Sequence, residues 1–514
     1  MKMWGLMNNT EVQEKVGGYE AVFIAVGRVL QFALALVIIR IATNILSPVE
    51  MGRMGLVTAT TALFSYTLVN PVGMFINRRL HTWRIHGRLR YNFRIYWAFL
   101  VLVAATGVAV VWLMKNTVGI GLNISMTWIL ILVGGSLVFN TCNATYIPSL
   151  NLMGYPRGFI VLTIATLLLG LSLSLILTHI CGACAEYWLL GLLLGQLVVG
   201  LVGRHVFFRL VQPIFQPDTH EPARLPQILL LFAFAWPLSL SVGLNWVQYQ
   251  SYRFIVQKQV GLAQLGLLVT GCTIGAGIII AAEQILTTYF QPRFYRRIAS
   301  SGVFTHTRAW NDYASAIVPS IIITDFVITA LAPELTRILA AQQYQSASRF
   351  VVWGALAESA RVLVGVYSLV AHARMRTRIL LFPNAIGACS SLILVYFLVS
   401  RFGAKGAVMG LAAAGAVSVV VSHGILRYEL PFSIPIKRSL TAVVLGMVIF
   451  ALVAEIRPAL MHYRGFGSHL LLVAMTGLLF TCVQWYFLRS LLVGISRKTG
   501  SRSFGISLQD MVDL

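Results

Sequence analysis

Four arginines stand where an apolar chain has little reason to carry charge. Arg28 and Arg40 lie inside the first long hydrophobic run, within the stretch GRVLQFALALVIIRIATNILSPVEMGRMG that spans Gly27 to Gly55. Arg53 follows a Ser-Pro turn at the start of the second run, and Arg253 sits at the edge of a later one. A charge at mid-bilayer costs roughly 2.5 kcal/mol upwards, so it normally faces a cavity, a partner or a substrate. The chemistry a set of guanidiniums offers is anion binding, because the planar fork grips phosphate oxygens two at a time and stays charged. Twelve residues separate Arg28 from Arg40, which on a helix is about 18 Å along the axis and about 120° around it. The competing reading is that each arginine snorkels to the headgroups. Arg28 is the strongest candidate for a cavity cation, one to two turns inside its span; Arg40, Arg53 and Arg253 lie nearer span ends.

Three acids also fall within apolar runs: Glu283, Asp325 and Glu358. Intramembrane carboxylates serve proton and ion relays, so all three are ion-coupling candidates. Glu358 precedes Arg361 by three residues, the spacing of a helical ion pair, and a structural pair is the simpler reading there. Asn77, Asn140, Asn143, Asn245, Gln248 and Gln250 either face a sugar or bond between helices, and for most of them the second is preferred. No phosphate-binding glycine loop, nucleophile elbow or complete metal-ligand set is present, so neither catalysis, a cofactor nor a metal is implied. Of six cysteines, Cys142, Cys272, Cys389 and Cys482 fall in spans as small apolar residues. Cys181 and Cys184 share a short loop where a disulfide is conceivable on an oxidising face.

The elements that must hold these residues are helices in a membrane. The chain has 514 residues, of which 58% are hydrophobic and 11% charged, with mean hydropathy +0.80; soluble domains do not have this composition. Apolar runs long enough to span recur fourteen times, near 21–45, 52–77, 95–114, 126–149, 158–180, 187–208, 228–252, 260–289, 312–335, 349–371, 379–400, 404–426, 439–455 and 468–490. A β-barrel would show short alternating segments instead. The polar start, Met1 to Glu20, has no small-residue cleavage site, so the first span is expected to act as an uncleaved anchor. The net charge of +23 would suggest nucleic acid in a soluble protein. Here it follows the positive-inside bias, and no nucleic-acid partner is implied. Alternate loops are arginine-rich (Arg78, Arg79, Arg84, Arg88, Arg90 and Arg94 in one) and the others poor (Lys115 alone, or Lys258 alone). That places both termini in the cytoplasm. No acid occurs between Glu50 and Glu186, which leaves the spans between them without a carboxylate of their own to neutralise Arg53.

The later half opens like the earlier one. Arg40 is followed by Leu46-Ser-Pro-Val-Glu-Met-Gly52 and Gly55-Leu-Val-Thr; Arg253 is followed by Val260-Gly-Leu-Ala-Gln-Leu-Gly266 and Leu268-Val-Thr-Gly. Repeated halves are a common transporter build, with the substrate site between them at mid-membrane. The first of these stretches, with Asn245-Trp…Tyr252-Arg-Phe-Ile-Val256…Leu265-Gly and Ala332-Pro-Glu-Leu…Tyr344, resembles the polysaccharide flippases of the multidrug/oligosaccharidyl-lipid/polysaccharide exporter (MOP) superfamily. It is most similar to Wzx-type flippases of O-antigen and exopolysaccharide synthesis, with lipid II flippases as cousins. Fourteen spans match the lipid II branch, whereas twelve are usual for Wzx proteins.

The resemblance implies an all-α polytopic membrane protein with about fourteen transmembrane helices in two lobes around a central cavity. The prolines Pro213, Pro217, Pro222 and Pro226 with mixed charge mark a cytoplasmic linker at 210–226, which divides the chain into a first lobe at 1–209, a second lobe at 227–426, and two extra spans with a tail at 427–514. The resemblance also implies a flippase that carries an undecaprenyl-diphosphate-linked oligosaccharide across the bacterial cytoplasmic membrane by alternating access. Arg28, Arg40, Arg53 and Arg253 would bind the diphosphate, and the partners would be membrane lipids, a polysaccharide polymerase and export proteins. The alternatives are a lipid II flippase for peptidoglycan and a drug/cation antiporter of the same superfamily. The antiporter is disfavoured by a first half rich in cations and almost without acids. A polymerase or ligase is disfavoured by the short loops, which leave no room for an extramembrane catalytic domain.

Overall fold

The computed structural model describes residues 18–117, 124–211, 224–298, 303–374, 376–461 and 466–498. The polar start, most of the predicted linker and the end of the tail lie outside the described residues. Regular structure within them is helical throughout. Six long helices precede the linker: α1 (Gly18–Ile45), α2 (Pro48–Ile85), α3 (Leu89–Thr117), α4 (Met126–Leu152), α5 (Pro156–Cys181) and α6 (Ala185–Leu210). Eight follow it: α7 (Arg224–Gln250), α8 (Leu262–Ile298), α9 (Val303–Leu339), α10 (Ser348–Ala373), α11 (Leu381–Phe402), α12 (Ala404–Leu426), α13 (Ile436–Met461) and α14 (Phe466–Lys498). Among the described residues, thirteen helices are long and apolar enough to cross a membrane. The remaining long helix, α7, holds the place of the seventh predicted span. The chain is a multi-pass membrane protein.

Local sequence explains where the helices start and bend. The Ser47 hydroxyl accepts the Glu50 N–H at 3.4 Å and Pro48 stands at the first helical position, so α2 begins directly after α1. α2 carries a π-helical turn, Ser65–Val69, just before Asn70-Pro71, where proline has no N–H to give. α4 carries two such turns, Leu130–Gly134 and Ser136–Asn140. α5 and α6 meet through glycines: a Cβ on Gly195 would lie 2.5 Å from the Gly170 Cα, and one on Gly191 would lie 2.3 Å from the Ser174 Cα. Close approach through small residues is how helices associate where lipid removes the hydrophobic drive between them.

Around these contacts α1 packs on α5 and α4 on α6; in the later half α11 packs on α12, α8 on α9 and α10, and α7 on α11. Bulky side chains such as Trp188, Trp310 and Tyr344 fill the interior. Val29 (69% exposed), Val420 (70%) and Leu478 (69%) face outward, a distribution that suits hydrocarbon surroundings. α13 and α14 flank α9. Gly446 lets α13 lie against the Phe326 ring, and Arg457 holds Glu334 with two bonds of 2.9 and 3.0 Å. Arg337 donates to Nε2 of His469 at 2.5 Å, which ties α14 to the same end of α9.

Candidate functional site

The two halves meet where the sequence echo meets itself. The start of α2 crosses the start of α8, with backbone against backbone. A Cβ on Gly266 would lie 1.8 Å from the Pro48 carbonyl oxygen, and one on Gly52 would lie 2.2 Å from that of Leu262. Before the crossing, the short helix Tyr252–Gln259 is closed by Gly261 at φ 105°, a left-handed conformation that suits glycine.

Arg40 and Arg253, which occupy matching places in the echo, exchange partners across this crossing. Arg40, on α1, donates to the backbone carbonyls of Arg337 (3.1 Å) and Ala340 at the C-terminal end of α9. Those carbonyls have no helical partner of their own and carry the negative end of the helix dipole. Arg253 donates to the Gly55 carbonyl of α2 at 2.8 Å and to the Thr58 hydroxyl at 3.3 Å. Each half thus sends one guanidinium into the other.

The closure continues around them. The Ala341 N–H donates to the Thr43 hydroxyl at 3.1 Å. Gln343 donates to the carbonyls of Thr43 (3.0 Å) and Leu46 (3.1 Å), and the Tyr344 hydroxyl donates to Leu46 at 2.9 Å. The Trp246 ring N–H donates to the Ala59 carbonyl at 2.8 Å. Further along, α2 and α7 stay together through Phe75 and Phe234, with Arg78 over the Phe234 ring. The hydrogen-bonded latch thus lies at the arginine-poor end, and the Phe75–Phe234 contact also joins the halves toward the arginine-rich end. Beside the latch, in the first half, a cavity of about 270 Å³ is lined by Thr58, Thr61, Ser65, Ser136, Asn140 and Gln196. Several of these lie on the π-helical turns of α2 and α4.

Arg53 finds its partners at the two ends of the acid-free stretch. It lies 3.1 Å from Glu50 and 3.3 Å from Glu186. The acid-free stretch is bounded by these two residues, and the hairpins between them return its two ends to one place. Glu50 also accepts the Ala185 N–H at 2.7 Å. Ligand atoms of Glu50, Cys184 and Glu186 lie within 4.8 Å of one another, close enough for a metal ion, but the Arg53 guanidinium already supplies positive charge there. Burial, with Glu50 and Glu186 next in effect, pushes the Cys184 thiol up from its ordinary pKa. Cys181 and Cys184 are free thiols.

Arg28 stands apart from the other three. It is exposed on the seam of α1 and α5, donates to Gln31 at 3.2 Å and stacks over Phe159 with 4.9 Å to the ring centre. Arg28, at the arginine-rich end, is not brought together with Arg40, Arg53 and Arg253.

Among the acids, the spacing of Glu358 and Arg361 forms the predicted ion pair at 2.5 Å, and Arg361 also bonds Glu283 of α8. Asp325 neighbours the Ser359 hydroxyl, yet neither Asp325 Oδ1 nor Ser359 Oγ has a well-formed hydrogen bond. Two predicted amides bond between helices: Asn143 to Thr166 at 2.9 Å and Gln248 to Ser418 at 3.0 Å. Sequence reasoning missed Thr43 and Gln343, which carry no unusual signal, and met Trp246 only within the stretch that carries the resemblance. It also missed Glu50 and Glu186 as partners, for which the boundaries of the acid-free stretch were the available clue.

No protein-family model matches the chain, and no curated protein does. Solved structures do. Lipid II flippase MurJ in an inward closed conformation superposes with a TM-score of 0.63 at 11% identity, covering 91% of this chain and 99% of that one. An inward-facing MATE-family multidrug resistance transporter of the MOP superfamily gives 0.57 at 14%, covering 78% and 94%. A MOP-superfamily transporter from Pyrococcus furiosus, described by the reversed polarity of its binding pocket, gives 0.50 at 14%, covering 82% and 99%. The chain has the fold of MOP-superfamily transporters.

Proposed function

We propose that the protein is a flippase of the bacterial cytoplasmic membrane that carries an undecaprenyl-diphosphate-linked oligosaccharide between leaflets for surface polysaccharide synthesis, with both termini cytoplasmic. The observation that carries the reading is the reciprocal latch. Arg40 and Arg253 each bond a backbone carbonyl of the opposite half. When the halves part at that end, both guanidiniums lose those acceptors and are presented to whatever lies between. An anionic diphosphate is the ligand that would replace two carbonyl dipoles with full charges, and charge-assisted bonds to it are roughly twice as strong as neutral ones. Arg28 would meet the same group first, from the arginine-rich side, where Phe159 holds its side chain. Arg53, already paired with two acids, would keep its hairpin ends together or release to the substrate. Asp325, Glu283 and Glu358 remain the ion-coupling candidates, and of the three Asp325 has no cation within ion-pair distance among the described residues. A polysaccharide polymerase and export proteins would take the product.

A second reading keeps the mechanism and changes the glycan. Fourteen long helices among the described residues, and the likeness to the lipid II flippase MurJ, favour a peptidoglycan precursor. One experiment separates these readings and tests both. Purified protein is reconstituted with a fluorescent undecaprenyl-diphosphate-linked glycan or with lipid II, and the leaflet is read with an impermeant quencher. Translocation of one substrate, lost in Arg28→Ala and partly restored in Arg28→Lys, is expected. Full activity of Arg28→Ala removes its cavity role. Failure to move either lipid, with efflux of cationic drugs instead, replaces the flippase reading by the antiporter.

A further inference from the structure

We infer that the outer flank of the first half binds an anionic, bis-phosphorylated phospholipid of the leaflet on the arginine-rich side, at a site separate from the path between the halves. A cavity of about 580 Å³ opens between the start of α3 and the end of α6, within the roughly 300–1,000 Å³ range of small-ligand sites. Arg90 and Arg94, one helical turn apart on α3, converge there with Arg204 and Arg209 from the last turns of α6.

Several arginines elsewhere are matched by carboxylates, as at Arg53, Arg297, Arg361 and Arg457, and Arg40 and Arg253 by backbone carbonyls of the opposite half. Among the described residues, none of these four has a carboxylate within ion-pair distance. Four like charges gathered on one cavity repel, and an anion that bridges them turns the repulsion into attraction. Arginine is suited to phosphate, and four guanidiniums accommodate two phosphate groups bidentately.

The floor is built rather than incidental. The Trp97 ring N–H donates to the Tyr146 hydroxyl at 3.0 Å. Phe93 packs on Tyr146, Phe207 and Phe208, with centroids 5.0, 5.7 and 5.9 Å away. Arg90 lies over the Phe208 ring. This aromatic wall fixes the two helix ends that carry the cations.

The surface beyond the cavity identifies the ligand as a lipid rather than a soluble anion. Toward the membrane interior α3 exposes Ile95, Val101 and Leu102, and α6 exposes Val198, Leu201 and Val202, at 46–65%. A headgroup in the cavity would lay its acyl chains on these two aliphatic faces. Basic pockets between helix ends with aromatic neighbours are where cardiolipin-type headgroups bind membrane proteins.

The test uses the full-length protein in nanodiscs. Native mass spectrometry would count retained lipid with diphosphatidylglycerol and with phosphatidylcholine as probes. We expect one diphosphatidylglycerol to be retained by the native protein, and half-saturation to rise at least tenfold in the Arg94→Gln/Arg204→Gln/Arg209→Gln variant. The all-lysine counterpart should fall between the two. Thermal stability in lipid-free detergent should be alike for native and variant proteins, while diphosphatidylglycerol should raise the melting temperature of the native protein alone. Equal retention of diphosphatidylglycerol by native and glutamine variants overturns the inference. So does displacement by millimolar inorganic diphosphate, which would mark a soluble-anion site. The translocation assay with Arg28→Ala reads the path between the halves, so failure of either proposal leaves the other standing.

Discussion

Gly266→Ala is the most direct probe of the closure between the halves. The added methyl would lie 1.8 Å from the Pro48 carbonyl oxygen and 2.9 Å from the Gly52 nitrogen, both backbone atoms that no rotamer change can move aside. Relief to an ordinary contact requires α2 and α8 to part by about 1.5 Å, and overpacking of this kind costs about 1–3 kcal/mol. The cost falls only on the conformation in which the two helices touch, so it enters the conformational equilibrium as a ratio, roughly 5- to 150-fold towards the form open at the arginine-poor end. Gly277→Ala is the control on the same helix, because nothing lies within 4 Å of its added Cβ. The assay is alkylation of a cysteine placed at Thr43, where the hydroxyl is buried under Ala341, by an impermeant maleimide in oriented vesicles, with Cys181 replaced by serine. Labelling should accelerate at least fivefold with Gly266→Ala and remain unchanged with Gly277→Ala. Equal labelling in all three proteins would mean that the crossing yields locally, and that backbone contact between α2 and α8 does not hold the closed form.

Other consequences follow from the same contacts. Arg253→Ala removes a charge-assisted bond to the Gly55 carbonyl and should weaken closure by about 1–3 kcal/mol, raising the same labelling rate, with Arg253→Lys intermediate. Arg361→Ala leaves Glu283 and Glu358 facing one another without their cation. Removing one partner of a buried pair costs about 3–5 kcal/mol, reduced here because Arg361 keeps 38% of its side-chain surface. A lower melting temperature in detergent, largely recovered by adding Glu283→Gln and Glu358→Gln, checks it. Asp325→Asn replaces a carboxylate whose Oδ1 has no hydrogen-bond partner among the described residues, so it should spare stability and abolish the ion dependence of transport; unchanged ion dependence would remove Asp325 from coupling. Cys184 should react with maleimide far more slowly than Cys181 at neutral pH and gain on it as pH rises, since a raised pKa withholds the thiolate until the solution is more alkaline.

The fourteen long helices, thirteen of them candidate spans, were legible because hydrocarbon demands long apolar helices, a one-dimensional property of the chain. The Glu358–Arg361 pair was legible for a related reason: three residues on one helix are neighbours whatever the helix packs against. So was the anomaly of Arg28, Arg40, Arg53 and Arg253, since a guanidinium in an apolar run stands out by composition alone. Their partners were not legible. Arg53 meets Glu186 across 133 positions, Arg361 meets Glu283 across 78, and Arg40 reaches Ala340 across 300. Such pairings depend on which helices lie side by side, and a helix specifies its own axis but not its neighbour. In the sequence Gly52 and Gly266 stand only as matching positions of the echo between the halves. Only the crossing of α2 and α8, set by the packing of both halves, gives them their role as the point where the backbones touch.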